Sequence, residues 1–364
     1  MIRSCLTAAV SLVLVSVGCA NQQESNGVAT DAKSENTTMQ AVGLYQYGGP
    51  EVLGLVEVEK PEPADGEVRV RVMAAGVNPV DEMVRSGLLA SYYEGYDFPY
   101  IPGMDIAGVV DAIGEDVDSS FNLTVGDDVA GMVSNFAGYG GYSEYVCVPA
   151  GSLVPLPKNN SYVEAAAFMM PAMTARTAID ALNLTEGSSV VVIGAAGAVG
   201  LYASVLADRD GLVVVGIASP SDEETLEANG VTHFIARGDD ANDQVREIFP
   251  SGVDAVIDTA GIRTRAFPVL KDGGHYIALR GWDDAPDIRG IKAEFVSVRD
   301  RIDDYPALAE IGRLVEQGVL PIRVAGVFPT SEAGKAHELQ AARGVRGRAV
   351  IDTNEFVGEP APKP

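Results

Sequence analysis

The residues best placed for chemistry form a glycine-rich stretch, 194–200, directly after four β-branched residues at 190–193. Such an apolar run is typical of a strand buried on both faces of a parallel sheet, and the apolar spacing of residues 201–207 predicts a helix. A glycine-rich turn between such a strand and a helix N-terminus presents free N–H groups to an anion. The stretch therefore predicts a pyrophosphate-binding turn. A tight connection without a ligand is the alternative, since Ala198 stands near where a further glycine is common.

Two sets of elements must position this turn. Residues 39–163 are rich in short strands and glycine turns, which predicts a β-rich first domain. From residue 164 to 322 buried strands alternate with helices, which predicts an α/β domain with a doubly wound parallel sheet. Residues 323–353 are expected to return to the first domain, and residues 354–364 to form a frayed tail.

The composition narrows the classes of ligand. The chain has 364 residues, of which 47% are apolar and 21% charged, as expected for two globular domains. A net charge of −25 argues against nucleic acid or an anionic membrane surface as a partner. With three cysteines and three histidines, a disulfide framework or a four-thiolate zinc site is not expected.

The first 38 residues have the pattern of an export signal and a spacer. Residues 1–20 combine a short positive start with an apolar core, which predicts a signal peptide. The Gly18-Cys19 pair resembles a bacterial lipobox and predicts an exported lipoprotein anchored through Cys19, with cleavage after Ala20 as the alternative. Residues 21–38 are polar and predict a disordered linker. If translation starts at Met39 instead, the protein is expected to be cytoplasmic.

A series of motifs in a fixed order connects the chain with a known family. The motifs are YGGPEVL at 47–53, AGVNPVD at 75–81, IPGMDIAGVV at 101–110, GGYSEY at 140–145, MTA at 173–175 and the glycine-rich stretch itself. In this order and spacing they resemble the zinc-independent quinone oxidoreductases related to zeta-crystallin, within the medium-chain dehydrogenase/reductase superfamily. This resemblance implies a GroES-like β-rich domain with an inserted Rossmann domain, and a homodimer.

The positions of catalytic zinc ligands hold other residues in this chain. Zinc-dependent relatives carry a cysteine after the Ala-Gly-Val turn and a Gly-His-Glu run after the Ile-Pro pair. Here Asn78 stands at the first position and Gly103-Met104-Asp105 at the second. Neither Asn78 nor Met104 is a side chain that zinc prefers, so no zinc is expected.

The resemblance implies a set of cofactor-binding residues along the carboxyl ends of the Rossmann strands. Two of them have plain alternatives, since Asn78 also fits a turn and Thr174 a helix cap. The implied residues are Asn78 and Thr174 near the nicotinamide; Ala195, Ala196, Gly197, Ala198 and Val199 at the pyrophosphate; Ser219 and Arg237 towards the adenosine; Ala260 and Leu279 near the ribose and nicotinamide; and Arg348, where relatives often have a lysine.

The end of the second Rossmann strand bears on the choice of cofactor. It reads Ala218-Ser219, without the acid that commonly holds the ribose of NADH, which favours NADPH and leaves NADH open. However, Asp222 stands where NADP-binding relatives have a lysine, and it would repel a 2′-phosphate if it pointed inward. The alternative is that Asp222 is stabilised by the dipole at a helix N-terminus, and that Arg237 supplies the positive charge for the 2′-phosphate.

The substrate side lacks an evident proton donor, so no catalytic residue is assigned. Asn78, Asp81 and Met83 are expected at the substrate, although Asp81 fits a structural role equally well. Met83 stands where enone reductases of the superfamily often have a tyrosine. Without a general acid, the site favours a small electrophile such as a quinone or activated carbonyl, reduced by NAD(P)H. A nucleotide-binding module without turnover and an enoyl or enone reductase remain the alternatives.

Overall fold

The computed structural model describes residues 37–134, 139–282 and 284–364. The predicted signal peptide, Cys19 and nearly all of the predicted linker lie outside the described residues. Within them, no helix is both long and apolar enough to cross a membrane.

The first domain is built on a seven-stranded sheet in which β3 and β4 form the central ladder. Along this ladder Gly76 pairs with Asp105, so the turn after β3 that contains Asn78 lies beside the start of β4. A separate hairpin joins β1 and β2. The strand bounds are β1 Thr38–Gly43, β2 Gly54–Glu59, β3 Glu67–Gly76, β4 Asp105–Ile113, β5 Asp128–Met132, β6 Tyr145–Pro149 and β7 Leu153–Pro155, with β14 Val324–Pro329 and β15 Arg348–Asp352 from the C-terminal segment.

The second domain contains a six-stranded parallel sheet with the order β10-β9-β8-β11-β12-β13. This confirms the α/β fold with a doubly wound parallel sheet. The sheet forms because its inner strands are continuous apolar runs; all of β8, for example, is buried. The strands are β8 Ser189–Ile193, β9 Val213–Ala218, β10 His233–Ala236, β11 Val253–Asp258, β12 Leu270–Ala278 and β13 Lys292–Phe295.

The helices connect the two sheets into one body. In particular, α3 packs in a core cluster that contains Ala74 and Met104 from the first domain and Val190 and Ile257 from the second. The two domains therefore share apolar packing behind the cleft. The helices are α1 Pro79–Ser86, α2 Tyr162–Ala165, α3 Met169–Leu182, α4 Ala198–Arg209, α5 Glu223–Glu227, α6 Ala241–Ile248, α7 Tyr305–Glu316 and α8 Ala333–Ala341.

The C-terminal segment rejoins the first domain twice. Strand β15 pairs antiparallel with β3, where Val350 lies opposite Gly76. The last residues are not frayed, which corrects the expectation from sequence. The Leu55 amide donates to the Glu359 carbonyl and the Ala361 amide to the Leu55 carbonyl, both at 2.9 Å. Ala361 is small enough to pack closely over Gly54, and its N–H, between two prolines, satisfies the edge of β2.

Candidate active site

The glycine-rich turn joins β8 to α4 with its backbone exposed to a cavity. Gly194 has a φ of +75°, which a side chain would strain, and a Cβ on Gly200 would lie 2.3 Å from the Gly194 carbonyl oxygen. A Cβ on Gly197 would meet only that oxygen, at 3.3 Å. Helix α4 begins at Ala198. Thus Gly194 and Gly200 are needed to form the turn, whereas Gly197 leaves its outer face open.

A cavity of about 520 Å³ lies over this turn, at the carboxyl ends of β8, β9 and β11. We call it the strand-end cavity. Five of the residues implied to bind a cofactor line it: Ala196, Gly197, Ser219, Arg237 and Ala260. The other lining residues are Ile193, Gly194, Ile217, Ala218, Gly238, Asp239, Ala241, Asn242, Ile262, Arg265 and Arg346.

The remaining implied cofactor residues do not line the strand-end cavity. Ala195 and Ala198 turn their side chains into the core, while Val199 and Leu279 are half-buried and pack against it. The Thr174 hydroxyl donates to the Met170 carbonyl at 2.7 Å, one helical turn earlier. That bond occupies the Thr174 hydroxyl within its own helix, as expected for threonine in a helix interior.

Asn78 lies at the start of α1, fully buried, in a cluster with Asp81, Asp105 and Arg348 that we call the inner cluster. Its side-chain amide donates to Asp105 Oδ2 at 2.9 Å, and Asp105 Oδ1 accepts from the Met170 amide at 2.6 Å. The Asp81 amide donates to the Asn78 carbonyl, so Asn78 Oδ1 has no partner among the described residues. Burial raises the pKa of Asp105 to about 6. Asp105 therefore fixes which way the Asn78 amide faces.

Asp81 is fully buried and belongs to the scaffold behind the cleft. Its carboxylate accepts from the Asn78 amide N–H at 2.7 Å and from the Gly103 amide N–H at 2.9 Å. Burial raises its pKa to about 7, against the lowering effect of those two bonds. Both carboxylate oxygens thus hold main-chain turns together, which fits the structural alternative for Asp81; its contact with a substrate stays a prediction. Met83, one turn along α1, is half-buried.

Arg348 contributes a buried positive charge to the same cluster. The residue is 5% exposed, and its Nε has no partner among the described residues. Burial lowers its pKa, whereas the carboxylates of Asp105 and Asp81 and the buried Tyr202 favour the charged form. Arg348 therefore partly compensates the two buried carboxylates.

The structure adds two arginines that the sequence did not single out. The Arg346 guanidinium donates to both carboxylate oxygens of Asp222, with Nε to Oδ1 at 2.8 Å, and it also lines the strand-end cavity. Arg323 Nη1 donates to the Ala196 carbonyl in the glycine-rich turn at 3.3 Å. Both arginines come from the C-terminal segment. In the sequence, Arg346 could have been noticed as a second basic residue two positions before Arg348.

Comparison with known proteins places these features in a family. Residues 64–158 match the family model of the alcohol dehydrogenase GroES-like domain, and residues 229–351 match that of zinc-binding dehydrogenase. The chain is 31% identical over 332 residues to the quinone oxidoreductase of Sus scrofa, covering 86% of this chain and 97% of that protein. The chain belongs to the medium-chain dehydrogenase/reductase family, in its quinone oxidoreductase group.

Solved structures agree with this membership. The human synaptic vesicle membrane protein VAT-1 homolog-like protein superposes with a TM-score of 0.74 at 29% identity, covering 88% of this chain and all of that chain. The quinone oxidoreductase from Coxiella burnetii gives a TM-score of 0.74 at 28% identity, covering 86% and 99%. This medium-chain dehydrogenase/reductase is therefore an oxidoreductase of a family that generally binds nicotinamide cofactors.

The residues present fit such a dinucleotide. The strand-end cavity is lined by small residues of the turn, Gly194, Ala196 and Gly197, and by three arginines, Arg237, Arg265 and Arg346, against one carboxylate, Asp239. That wall is positive in a chain of net charge −25, which favours a phosphate-bearing ligand. Within residues 37–134, 139–282 and 284–364, no three His, Cys, Asp or Glu side chains cluster as metal ligands do.

Proposed function

We propose that this protein transfers hydride from NAD(P)H, with NADPH preferred, to a quinone or a similarly activated carbonyl, and that it does so without zinc. The observation that carries the proposal is the state of the positions at which zinc-dependent relatives hold their metal. There Asn78 is buried and hydrogen-bonded to Asp105, and Met104 is 2% exposed. An acceptor that takes hydride without a Lewis acid matches this environment.

The chain's own residues would bind and orient the two reactants. When bound, the reduced nicotinamide supplies the hydride. The N–H groups at the start of α4 would bind the pyrophosphate, since those of Gly194, Ala195 and Gly197 donate to backbone carbonyls. Asp105 holds the Asn78 side-chain amide so that its free oxygen could accept a hydrogen bond at the nicotinamide end. The apolar packing shared by the two domains would help to exclude water from the reacting groups.

The protonation step needs no dedicated side chain. Reduction of a quinone consumes one hydride and one proton, and the resulting hydroquinone oxygen can take its proton from water. Rate would then come from holding the donor and acceptor close together. This favours quinones over unactivated enones, whose reduction needs a general acid at the developing enolate.

The test starts with binding and continues with turnover. Fluorescence titration with NADPH and NADH measures binding, and the loss of reduced-nicotinamide absorbance with a panel of small quinones measures turnover, with and without a chelator. We expect binding, quinone-dependent oxidation and no effect of the chelator. Binding without turnover across the panel would indicate a nucleotide-binding module instead. Loss of activity with the chelator would contradict the zinc-free mechanism.

From residues 1–20 we further propose that the protein is exported and anchored through a lipid on Cys19. From the family resemblance we propose that it forms a homodimer. Mass spectrometry of the mature N-terminus from native cells tests the anchor. A lipidated peptide beginning at Cys19 is expected, whereas a peptide beginning at Met39 would make the protein cytoplasmic. Light scattering of the purified protein tests the dimer.

A further inference from the structure

Arg346 belongs to the first domain but lies in the wall of a cavity formed by the second. It stands in the segment between α8 and β15, two residues before β15 begins. Ser219, after β9, and Arg237, after β10, line the same cavity from the Rossmann sheet. The end of the cavity towards the adenosine is therefore closed from both domains.

The Asp222 carboxylate does not face this cavity. Asp222 is 9% exposed and is absent from the lining, while Arg346 is present in it. The guanidinium holds both oxygens of Asp222, and this contact lowers the pKa of Asp222. The carboxylate of Asp222, which stands where NADP-binding relatives have a lysine, is thus neutralised by Arg346. Of these two side chains, the Arg346 guanidinium is the one that lines the cavity.

Both arginines retain capacity to bind an anion. Arg346 uses three of its five N–H groups, two on Asp222 and one on the Gly344 carbonyl. Its side chain is 31% exposed. Arg237 makes no side-chain hydrogen bond or ion pair with any residue that the structure describes. A guanidinium oriented by a bidentate carboxylate and a second, free guanidinium form a site suited to a phosphate dianion.

We propose that Arg346 determines cofactor specificity: together with Arg237 it binds the 2′-phosphate of NADPH, while Asp222 orients it. This rests on the proposed function and adds a residue from the other domain to it. The usual lysine on the Rossmann side is replaced by an arginine on the C-terminal segment. Consequently the 2′-phosphate bridges the two domains, which the 2′-hydroxyl of NADH cannot do with comparable strength.

Calorimetric titration of the full chain tests this assignment. Arg346→Ala and Arg237→Ala are each titrated with NADPH, NADH, adenosine 2′,5′-bisphosphate and AMP. We expect Arg346→Ala to weaken NADPH and the bisphosphate at least about tenfold, and to leave NADH and AMP within about twofold. Arg343→Ala is the matched control, because Arg343 is an exposed arginine of the same segment outside the cavity lining, and its binding should be unchanged.

A second variant covers the case in which removing Arg346 leaves Asp222 unpaired and destabilises the fold. The double variant Arg346→Ala/Asp222→Asn removes both charges and should show the same selective loss of NADPH. Equal losses for both cofactors, no loss, or a wild type that prefers NADH would each overturn the assignment. If the wild type binds neither cofactor, the proposed function itself fails. If it binds and reduces quinones but Arg346→Ala keeps the NADPH-to-NADH ratio, only this inference fails.

Discussion

The Asn78 side-chain amide donates to Asp105 Oδ2 at 2.9 Å, with both side chains fully enclosed. The second oxygen of Asp105 is occupied by the Met170 amide, so the carboxylate has a donor on each side. Through this bond the first turn of α1, the start of β4 and the start of α3 share one carboxylate. The orientation of the group nearest the expected nicotinamide is therefore set by Asp105.

Asp105→Asn is expected to misorient Asn78 without unfolding the protein. An asparagine at 105 offers one acceptor where two donors are present, and losing one bond to a charged group costs about 1.5–3 kcal/mol. We expect kcat/KM for quinone reduction to fall roughly tenfold or more. Glu115→Gln, an exposed charge loss close to the end of the same strand, should leave kinetics unchanged.

The pH profile separates this orienting role from a purely structural one. The pKa of Asp105 is raised to about 6 by burial, and its protonation would replace an acceptor by a donor. Wild-type kcat/KM should therefore decline as the pH falls through about 6, while the Asp105→Asn variant should show no such decline. Identical pH profiles for the two proteins would rule out the role.

Because Asp81 is buried, we expect the free energy of unfolding to decrease as the pH rises towards neutrality. Its pKa rises from 3.8 to about 7 on folding, because burial disfavours the charge. The folded state then binds the proton more tightly, so stability is highest below the unfolded pKa and is lost as the pH rises through about 7. The expected loss is on the order of a few kcal/mol.

The difference between the wild type and Asp81→Asn isolates this effect between pH 6 and 7.5. Asp105, with a pKa of about 6, still titrates at the lower edge of this range, and His337, whose pKa burial lowers from 6.5 to about 3, contributes there with the opposite sign. Both contributions are common to the two proteins, so in urea denaturation the free energy of unfolding of the wild type relative to that of Asp81→Asn should fall as the pH rises across this range. Asp118→Ala, which removes an exposed helix cap, should lower stability and keep the wild-type slope.

Alanine substitutions at two of the three glycines of the turn, Gly200 and Gly197, are expected to have different effects. A Cβ on Gly200 would collide with the Gly194 carbonyl oxygen at 2.3 Å, so Gly200→Ala should cost about 1–3 kcal/mol of stability, more than the roughly 1 kcal/mol helix preference of alanine offsets. A Cβ on Gly197 would meet a single atom, the Gly194 carbonyl oxygen at 3.3 Å, so Gly197→Ala should cost much less stability than Gly200→Ala. It should weaken NADPH and NADH alike, because the methyl occupies the expected pyrophosphate position. Unchanged affinity in Gly197→Ala would place the cofactor elsewhere.

The sequence predicted what is encoded locally. The strand at 190–193 and the glycine turn after it are visible because adjacent residues determine them, and both are present in the structure. The local alternative for Thr174 was a helix cap, whereas Thr174 lies inside α3 with its hydroxyl bonded to the Met170 carbonyl one turn earlier. Pattern and spacing therefore sufficed for the sheet and for the floor of the cavity.

The contacts that close the site join distant parts of the chain. Arg346 and Asp222 are 124 residues apart, and the C-terminal tail reaches β2 from the other end of the chain. Such pairs depend on β15 lying beside β3, which no local pattern specifies. Asp222 looked like an obstacle to a phosphate because its partner could not be seen from the sequence.

Arg323 gives a last prediction that contrasts with Arg346. Arg323 Nη1 reaches the Ala196 carbonyl at 3.3 Å, so a residue just before β14 supports the turn that faces the pyrophosphate. The pyrophosphate is common to both cofactors, and Arg323→Ala should therefore weaken NADPH and NADH by the same factor, about three- to tenfold, as expected for one hydrogen bond. Arg323→Lys keeps the charge but not the planar geometry and should recover part of the affinity. Titration of both cofactors against each variant measures this, and a selective loss of NADPH would instead place Arg323 at the 2′-phosphate.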